Sequence, residues 1–120
     1  MKLRGISFKI HYTFRSDIKP TGGLNLAKVR KHAIIKGFVQ GVWFRASTQE
    51  QALAHHVTGW VKNTPDGNVE AVFEGEAQDV EKVLQWCHRG PAGATVQDVE
   101  VETEEYKGEF ASFSINRSYW

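Results

Sequence analysis

Alternating apolar and polar residues predict β-strands along most of the chain after residue 31. Residues 59–63 and 68–75 flank the turn sequence Thr64-Pro65-Asp66-Gly67, and this arrangement predicts a β-hairpin. Residues 96–103 alternate with a period of two, as expected for a strand with one buried face. With a β-prone run at the start and a short one at the end, the predicted strands cover residues 32–39, 59–63, 68–75, 96–103 and 109–115.

Two segments between these strands have helical patterns. Residues 44–57 contain no Gly or Pro and are rich in Ala, Gln, Glu and Leu. Ala46, Leu53 and Val57 can share one face of this helix. Between Glu76 and Arg89, apolar residues recur at i, i+3, i+4 and i+7, which predicts an amphipathic helix packed on the sheet. This second stripe consists of Val80, Val83, Leu84 and Cys87.

The predicted order of elements is β-α-β-β-α-β with an additional C-terminal strand. This is the order of the split βαβ, ferredoxin-like plan, an α+β sandwich in which two helices cover one face of an antiparallel sheet. A length of 120 residues, of which 41% are hydrophobic and 24% charged, suits one compact globular domain.

The first 30 residues differ from the rest of the chain in their sequence pattern. They have no sustained hydrophobic period and contain the breaker run Lys19-Pro20-Thr21-Gly22-Gly23. We therefore predict a basic, flexible extension over residues 1–30 and a folded domain over residues 31–120. Three interpretations of the extension stay open: a disordered tail that touches anionic partners, an organellar targeting segment, and a start codon chosen too far upstream.

Charged residues are distributed unevenly along the chain, and this distribution bears on which partners the folded domain can bind. Residues 1–31 hold eight of the 15 Lys and Arg but one of the 14 Asp and Glu, which leaves seven basic against thirteen acidic residues afterwards. An acidic domain is a poor nucleic-acid binder, so no nucleic-acid partner is expected. No run approaches the roughly 20 apolar residues of a membrane span, so no membrane partner is expected either.

The cysteine and histidine residues indicate the redox compartment and whether a disulfide or metal site is expected. Cys87 is the single cysteine, which excludes an intrachain disulfide and a multi-cysteine metal site. His55 and His56 are adjacent and point roughly 100° apart on a helix, so they predict no metal site. We expect a reducing cytoplasm, and a monomer is the default expectation.

One glycine-containing stretch before the first helix has the composition of an anion cradle. Gly37 and Gly41 allow backbone conformations closed to other residues, so successive N–H groups can face a bound oxyanion. Arg45, at the predicted helix start, adds a planar charged group suited to phosphate. Considered singly, Arg45 is more often a solvated charge, and Asn63 beside a Pro-Asp-Gly turn is more often a turn residue.

Two motifs together resemble a known family. Residues 37–45 resemble the first signature of the acylphosphatase family, and residues 59–70 resemble its second, in the same order. The first motif reads Gly37-Phe38-Val39-Gln40-Gly41-Val42-Trp43-Phe44-Arg45, and the second reads Gly59-Trp60-Val61-Lys62-Asn63-Thr64-Pro65-Asp66-Gly67-Asn68-Val69-Glu70. Phe38 and Trp43 stand where other members often have a basic and a small residue. Arg117 lies within residues 116–120, which replace the family's usual Arg-Tyr, and it is not assigned a role in the site.

The resemblance implies a small hydrolase of carboxyl-phosphate anhydrides that needs no metal and no cofactor. Its partner is then a small-molecule acyl phosphate. Arg45 is implied as the phosphate-binding arginine, and Asn63 as the residue that orients the attacking water. The implied phosphate loop consists of Gly37, Phe38, Val39, Gln40, Gly41, Val42 and Trp43.

Two other functions remain as alternatives at this level. A ferredoxin-like fold also hosts non-catalytic modules that bind an anion or RNA. An RNA reader is expected to show aromatic and basic residues on its sheet, whereas residues 96–105 carry mostly acids, which favours the enzyme. A carbamoyl-phosphate-handling domain of the same fold is the third possibility, and it is normally part of a longer chain.

Overall fold

The computed structural model describes residues 10–11 and 27–117 and contains six strands and two helices in these ranges. The strands form one sheet in the order β1-β5-β2-β4-β3-β6. The elements are β1 (Ile10–His11), β2 (Lys28–Phe38), α1 (Phe44–Ala54), β3 (Thr58–Asn63), β4 (Val69–Glu76), α2 (Ala77–Cys87), β5 (Thr95–Glu104) and β6 (Phe113–Ile115).

The α+β, ferredoxin-like plan is confirmed, with one correction to the sheet. All neighbouring strands are antiparallel except β3 and β6, which are parallel, so the sheet is mixed rather than wholly antiparallel. The reason is topological: β5 runs antiparallel to β3, so β5 ends at the same end of the sheet where β3 begins. The chain crosses from there to the far side of β3, and therefore enters β6 in the direction of β3.

Both helices pack on one face of the sheet, where the core lies. Helix α1 contacts β3 and β6, and α2 contacts β2 and β4. The stripe predicted for α2 is confirmed, because all four of its residues are at most 1% exposed. They pack with sheet residues that face the helices, including Ala33, Ile35, Val61, Phe73 and Val99. Burial of this apolar surface is the main force that holds the two layers together.

The face predicted for α1 is wrong. Leu53 is exposed, whereas Phe44, Thr48 and Ala52 are the buried residues of this helix. Thr48 can occupy the apolar face because its hydroxyl donates to the carbonyl oxygen of Phe44 at 2.8 Å. The helix also ends at Ala54, three residues earlier than predicted, since His56 adopts a positive φ of 61°.

Several strand boundaries differ from the prediction. Strand β2 begins at Lys28 rather than near residue 32, and β1 at residues 10–11 was not predicted. β1 and the first three residues of β2 lie in the stretch predicted as an extension, where local sequence has no period and pairing with β4 and β5 supplies the order. The other residues of that stretch, 1–9 and 12–26, lie outside the described ranges.

The last strand is shorter than predicted, three residues instead of residues 109–115. Residues just before it fold over the uncovered face of the sheet, where the backbone N–H groups of Lys107 and Gly108 donate to Glu74. Glu109, inside the predicted strand, also contacts this face, because its carboxylate accepts from Arg30 at 2.8 Å. Within the described ranges, neither helix is long and apolar enough to cross a membrane.

Candidate active site

Strand β2 leads into the loop before α1 through a glycine that the sheet requires. The pairing of β2 with β5 shifts register between Lys36 and Gly37, which marks a bulge. Gly37 has a φ of 134°, and a Cβ at this position would lie 2.2 Å from the carbonyl oxygen of Thr95. A side chain cannot fit there, so glycine lets the last two residues of β2 stay paired with β5 after the bulge.

The end of the loop has two residues in left-handed conformations. Gly41 has a φ of 76°, and a Cβ there would meet no atom within 4 Å, so the backbone at this point faces open space. Trp43 has a φ of 67° and precedes the first residue of α1. Its carbonyl oxygen accepts the first helical hydrogen bond, from the N–H of Ser47 at 3.0 Å.

A cavity of about 290 Å³ opens between this loop and the sheet. The first turn of α1 contributes to its wall, so backbone N–H groups that have no acceptor within the helix, and the positive end of the helix dipole, lie at the cavity. The nine residues that line it are Val39, Gly41, Trp43, Phe44, Arg45, Ala46, Asn63, Ile115 and Arg117.

The cavity brings together both residues predicted as catalytic. Arg45 is the second residue of α1, and its Nη1 atom is buried. Asn63 is the last residue of β3 and is 5% exposed. It lies on the helix-covered side of the sheet, in step with Val61 in the alternation of β3. The side-by-side arrangement of loop, helix start and strand end therefore joins two motifs that are separate in the sequence.

The electrostatics of the cavity are positive. Burial lowers the pKa of Arg45 below its ordinary value, and the nearby charge of Arg117 lowers it further. A guanidinium remains protonated under such shifts because its ordinary pKa exceeds 12. No Asp, Glu, His, Lys or Cys is among the nine lining residues. An anion that enters the cavity therefore meets two positive charges and no carboxylate from the lining.

Only part of the predicted phosphate loop lines the cavity. Val39, Gly41 and Trp43 do so, whereas Gly37, Phe38, Gln40 and Val42 do not. Phe38 is 63% exposed and Gly37 is placed against β5. These four residues shape the loop from outside the cavity.

Gln40 has a position that sequence pattern did not indicate. Its Nε2 atom donates to the carbonyl oxygen of Thr64 at 2.7 Å and to that of Asn68 at 2.8 Å. Thr64 and Asn68 belong to the hairpin turn that immediately follows Asn63, and the N–H of Asn68 donates to the Thr64 hydroxyl at 3.1 Å. Gln40 thus links the β2–α1 loop to the turn that follows Asn63.

Four lining residues were not predicted, and Arg117 is the most informative of them. The parallel register pairs Gly59 with Phe113 and Val61 with Ile115, so its continuation places Arg117 beside Asn63. The N–H of Asn116 donates to the carbonyl oxygen of Val61 at 2.8 Å and holds this segment to β3. A C-terminal arginine after an inward-facing Ile was the available signal, but only the parallel pairing gives it a position. The other three are Phe44, Ala46 and Ile115.

Comparison with known proteins identifies the family. The family model described as Acylphosphatase matches residues 31–115. The chain is 50% identical over 90 residues to an acylphosphatase from Pelotomaculum thermopropionicum, an alignment that covers 75% of this chain and 98% of that protein. This chain belongs to the acylphosphatase family.

Known structures of similar proteins agree in fold. The structure of an acylphosphatase from Coxiella burnetii superposes with a TM-score of 0.71 at 34% identity, covering 74% of this chain and 93% of that one. The crystal structure of acylphosphatase from Bacillus subtilis also gives a TM-score of 0.71, at 32% identity, and covers 73% of this chain and 98% of that one. The family and the fold expected from the two sequence motifs are therefore confirmed.

Proposed function

We propose that this chain hydrolyses the carboxyl-phosphate bond of acyl phosphates by in-line attack of a water molecule. Hydrolysis of acyl phosphates is the activity of the family to which the chain belongs. The observation that carries the mechanism is that Arg45 and Asn63 line one positive cavity at the start of α1. In this mechanism the phosphoryl group sits in the loop, Arg45 neutralises its charge and Asn63 orients the water.

Arg45 and the loop supply the binding energy for the phosphoryl group. A guanidinium matches phosphate oxygens with two parallel hydrogen bonds, and these are stronger than bonds between neutral groups. The N-terminus of α1 adds backbone N–H donors and a favourable dipole. The glycine at position 41 lets the ligand approach the backbone closely, since no side chain stands between them. Arg117 adds a second positive charge to the same cavity.

The bond that breaks is already activated. The leaving group is a carboxylate whose conjugate acid has a pKa of about 4, so it leaves without a proton from the protein. Phosphoryl transfer of this kind depends mainly on positioning and on stabilisation of charge at the equatorial oxygens. The side chain of Asn63 can accept a hydrogen bond from water through its carbonyl and donate through its NH₂ group. It therefore fixes the nucleophile without deprotonating it.

The proton of the attacking water passes to a phosphate oxygen of the substrate. The cavity lining supports this route because arginines are its only ionisable side chains, and arginine does not act as a base near neutral pH. We expect kcat to show no ionisation of a protein base between about pH 5 and pH 9. A bell-shaped profile, together with a solvent isotope effect, would show that the protein supplies a base and would contradict this route.

The test is hydrolysis of benzoyl phosphate by the purified protein in the presence of a metal chelator. Asn63→Ala should lower kcat by about 10²–10³, as removal of one preorganised donor does in comparable sites. Competitive inhibition by inorganic phosphate should persist in this variant, because Arg45 and the loop remain. Full activity of Asn63→Ala would refute the role of Asn63, and no turnover by the folded wild-type protein would favour a binding module instead.

The same proposal covers the setting in which the enzyme acts. We place it in the cytoplasm as a monomer without nucleic-acid or membrane partners, since its one cysteine is buried and its folded domain is acidic. Residues 31–120 form the catalytic domain, and the basic residues before them form an extension whose last three residues continue into β2. Sedimentation of the protein at several concentrations tests the monomer.

A further inference from the structure

Trp43 has an exposed side chain that the mechanism above does not use. It is 82% exposed and lines the cavity, and it is the one large exposed apolar residue among the nine lining residues. An indole offers a large, rigid apolar surface, and such surfaces at a concave site usually contact a ligand or partner. Because Trp43 lines the cavity, we expect its ring to contact the molecule that binds there.

The backbone holds Trp43 in a conformation that bulky residues rarely adopt. Its φ and ψ are 67° and 23°, in the left-handed region, and its carbonyl oxygen is engaged by the N–H of Ser47. Strain of this kind persists where the surrounding structure determines it, and it occurs often at ligand sites. The position of the Trp43 side chain at the cavity is thus set by the loop and by the start of α1.

The cavity has two walls of different origin. Asn63 comes from β3, and Ile115 and Arg117 come from β6 and the residues after it, whereas Trp43 and Arg45 come from the loop and the start of α1. In-line displacement requires the leaving oxygen to depart from the side of phosphorus opposite the attacking water. In the proposed mechanism Asn63 orients the water from β3, so the acyl group leaves on the side away from Asn63, where the remaining lining comes from the loop and α1.

We propose that Trp43 is the acyl-binding platform and makes this enzyme selective for acyl phosphates with an aromatic or extended apolar acyl group. This inference rests on the proposed function and adds the substrate class. The ring of Trp43 covers the apolar part of the substrate while Arg45 holds the phosphoryl group. A short acyl group, such as acetyl, is too small to gain much from the indole surface.

The test compares kcat/KM for benzoyl phosphate and acetyl phosphate in the wild-type protein and in Trp43→Gly. Glycine removes the ring and accepts the positive φ, so the loop keeps its backbone conformation. We expect the benzoyl-to-acetyl ratio to fall about tenfold, which corresponds to the loss of an aromatic contact and its buried area. Most of the loss should appear as a higher KM for benzoyl phosphate, and acetyl phosphate should change less than about threefold.

Two further variants make the result specific. Trp43→Phe retains an aromatic surface and should recover most of the ratio. Leu53→Ala removes another exposed apolar side chain, on α1 and outside the cavity lining, and should leave both substrates unchanged.

The outcomes separate this inference from the proposed function. An unchanged ratio in Trp43→Gly, or an equal loss for both substrates, would overturn the acyl-platform role while leaving the hydrolase intact. An equal loss would instead assign Trp43 to the conformation of the loop. If the folded wild-type protein hydrolysed neither substrate, the proposed function itself would fail, and this inference with it.

Discussion

Two arginines on opposite faces of the sheet show how the same side chain can be placed among acids in one part of the molecule and beside a second arginine in another. On the uncovered face, Arg30 donates to Glu74 at 3.2 Å and to Glu104 and Glu109 at 2.8 Å each. On the helix-covered face, Arg45 lines a cavity with a second arginine and no carboxylate.

The difference lies in what neutralises each charge. The protein's own acids neutralise Arg30, whose side chain is 11% exposed, so loss of this arginine would leave the buried Glu74 without its cationic partner. In the cavity, the like charges of Arg45 and Arg117 repel each other, and under the proposed function a phosphoryl group supplies the opposite charge. Substitution of Arg30 should therefore affect stability, and substitution of Arg45 should affect activity.

The largest expected effect is the contrast between Arg45→Gln and Arg30→Gln. Arg45→Gln should lower kcat/KM for benzoyl phosphate by more than about 10³, because binding and charge stabilisation are both lost. Its thermal stability should change less than that of Arg30→Gln, since the substitution removes a partly desolvated charge and a like-charge contact. Arg89→Gln is the matched control, because it removes the charge of an exposed arginine just after α2. It should retain activity.

Arg30→Gln should show the opposite behaviour. Its loss leaves Glu74 buried without its cationic partner, which costs about 3–5 kcal/mol of unfolding free energy in comparable buried pairs. Activity per folded molecule should stay within about twofold of wild type. Chemical denaturation and turnover measured on the same preparations test the contrast, and a stable Arg30→Gln or an active Arg45→Gln would break it.

Gln40→Ala should lower activity by about 10²-fold without removing any residue that lines the cavity. The substitution breaks both bonds that tie the loop to the turn after Asn63, and a displacement of about 1 Å at a reacting centre can cost this much. The loss should fall mainly on kcat, because Arg45 still binds phosphate. Gln40→Glu should not rescue activity, since a carboxylate would face two carbonyl oxygens. Wild-type kcat in Gln40→Ala would show that the tie has no role in catalysis.

Glu74→Gln should lower stability by about 1–3 kcal/mol near neutral pH and leave kcat unchanged. Burial tends to raise the pKa of Glu74. The N–H of Lys107, the guanidinium of Arg30 and the N–H of Gly108 outweigh burial and lower this pKa below its ordinary value of 4.5.

The pH dependence of this effect follows from the lowered pKa. The ionised form of Glu74 stabilises the folded state at pH values above 4.5, and this stabilisation is lost as the pH falls through the lower pKa of the folded state. The difference in unfolding free energy between wild type and Glu74→Gln should therefore shrink on acidification. Urea denaturation at several pH values measures it, and a difference that grew in acid would contradict the assignment.

The smallest effect concerns Cys87, which lies in the core between α2 and the sheet. Burial raises the pKa of its thiol to about 12, and the side chain is 0% exposed. Since the thiolate is the reactive form, the folded protein should not react with iodoacetamide at about pH 8. The unfolded protein should react quickly in denaturant. Rapid labelling of the folded protein would show that the core opens far more readily than its packing indicates.

Local sequence patterns predicted a large part of this fold. The hairpin around residues 64–67, the apolar stripe of α2 and the order of elements all follow from periods of two or 3.6 residues and from turn chemistry. The stripe of α1 was mispredicted because a threonine with an internal hydrogen bond occupies its buried face. The short β6 was overpredicted because Glu109, inside the predicted strand, contacts Arg30 on the other face of the sheet.

The sequence by itself determined the family, the order of the secondary structure and the pair of motifs that carry Arg45 and Asn63, because these depend on neighbouring residues and on conformations that only glycine adopts readily. Tertiary structure alone decided that Gln40 joins the loop to the turn, that Arg117 lies beside Asn63, and which loop residues face the cavity. These features depend on strand order and on the direction of β6. They arise from contacts between residues far apart in the chain, which no local pattern encodes.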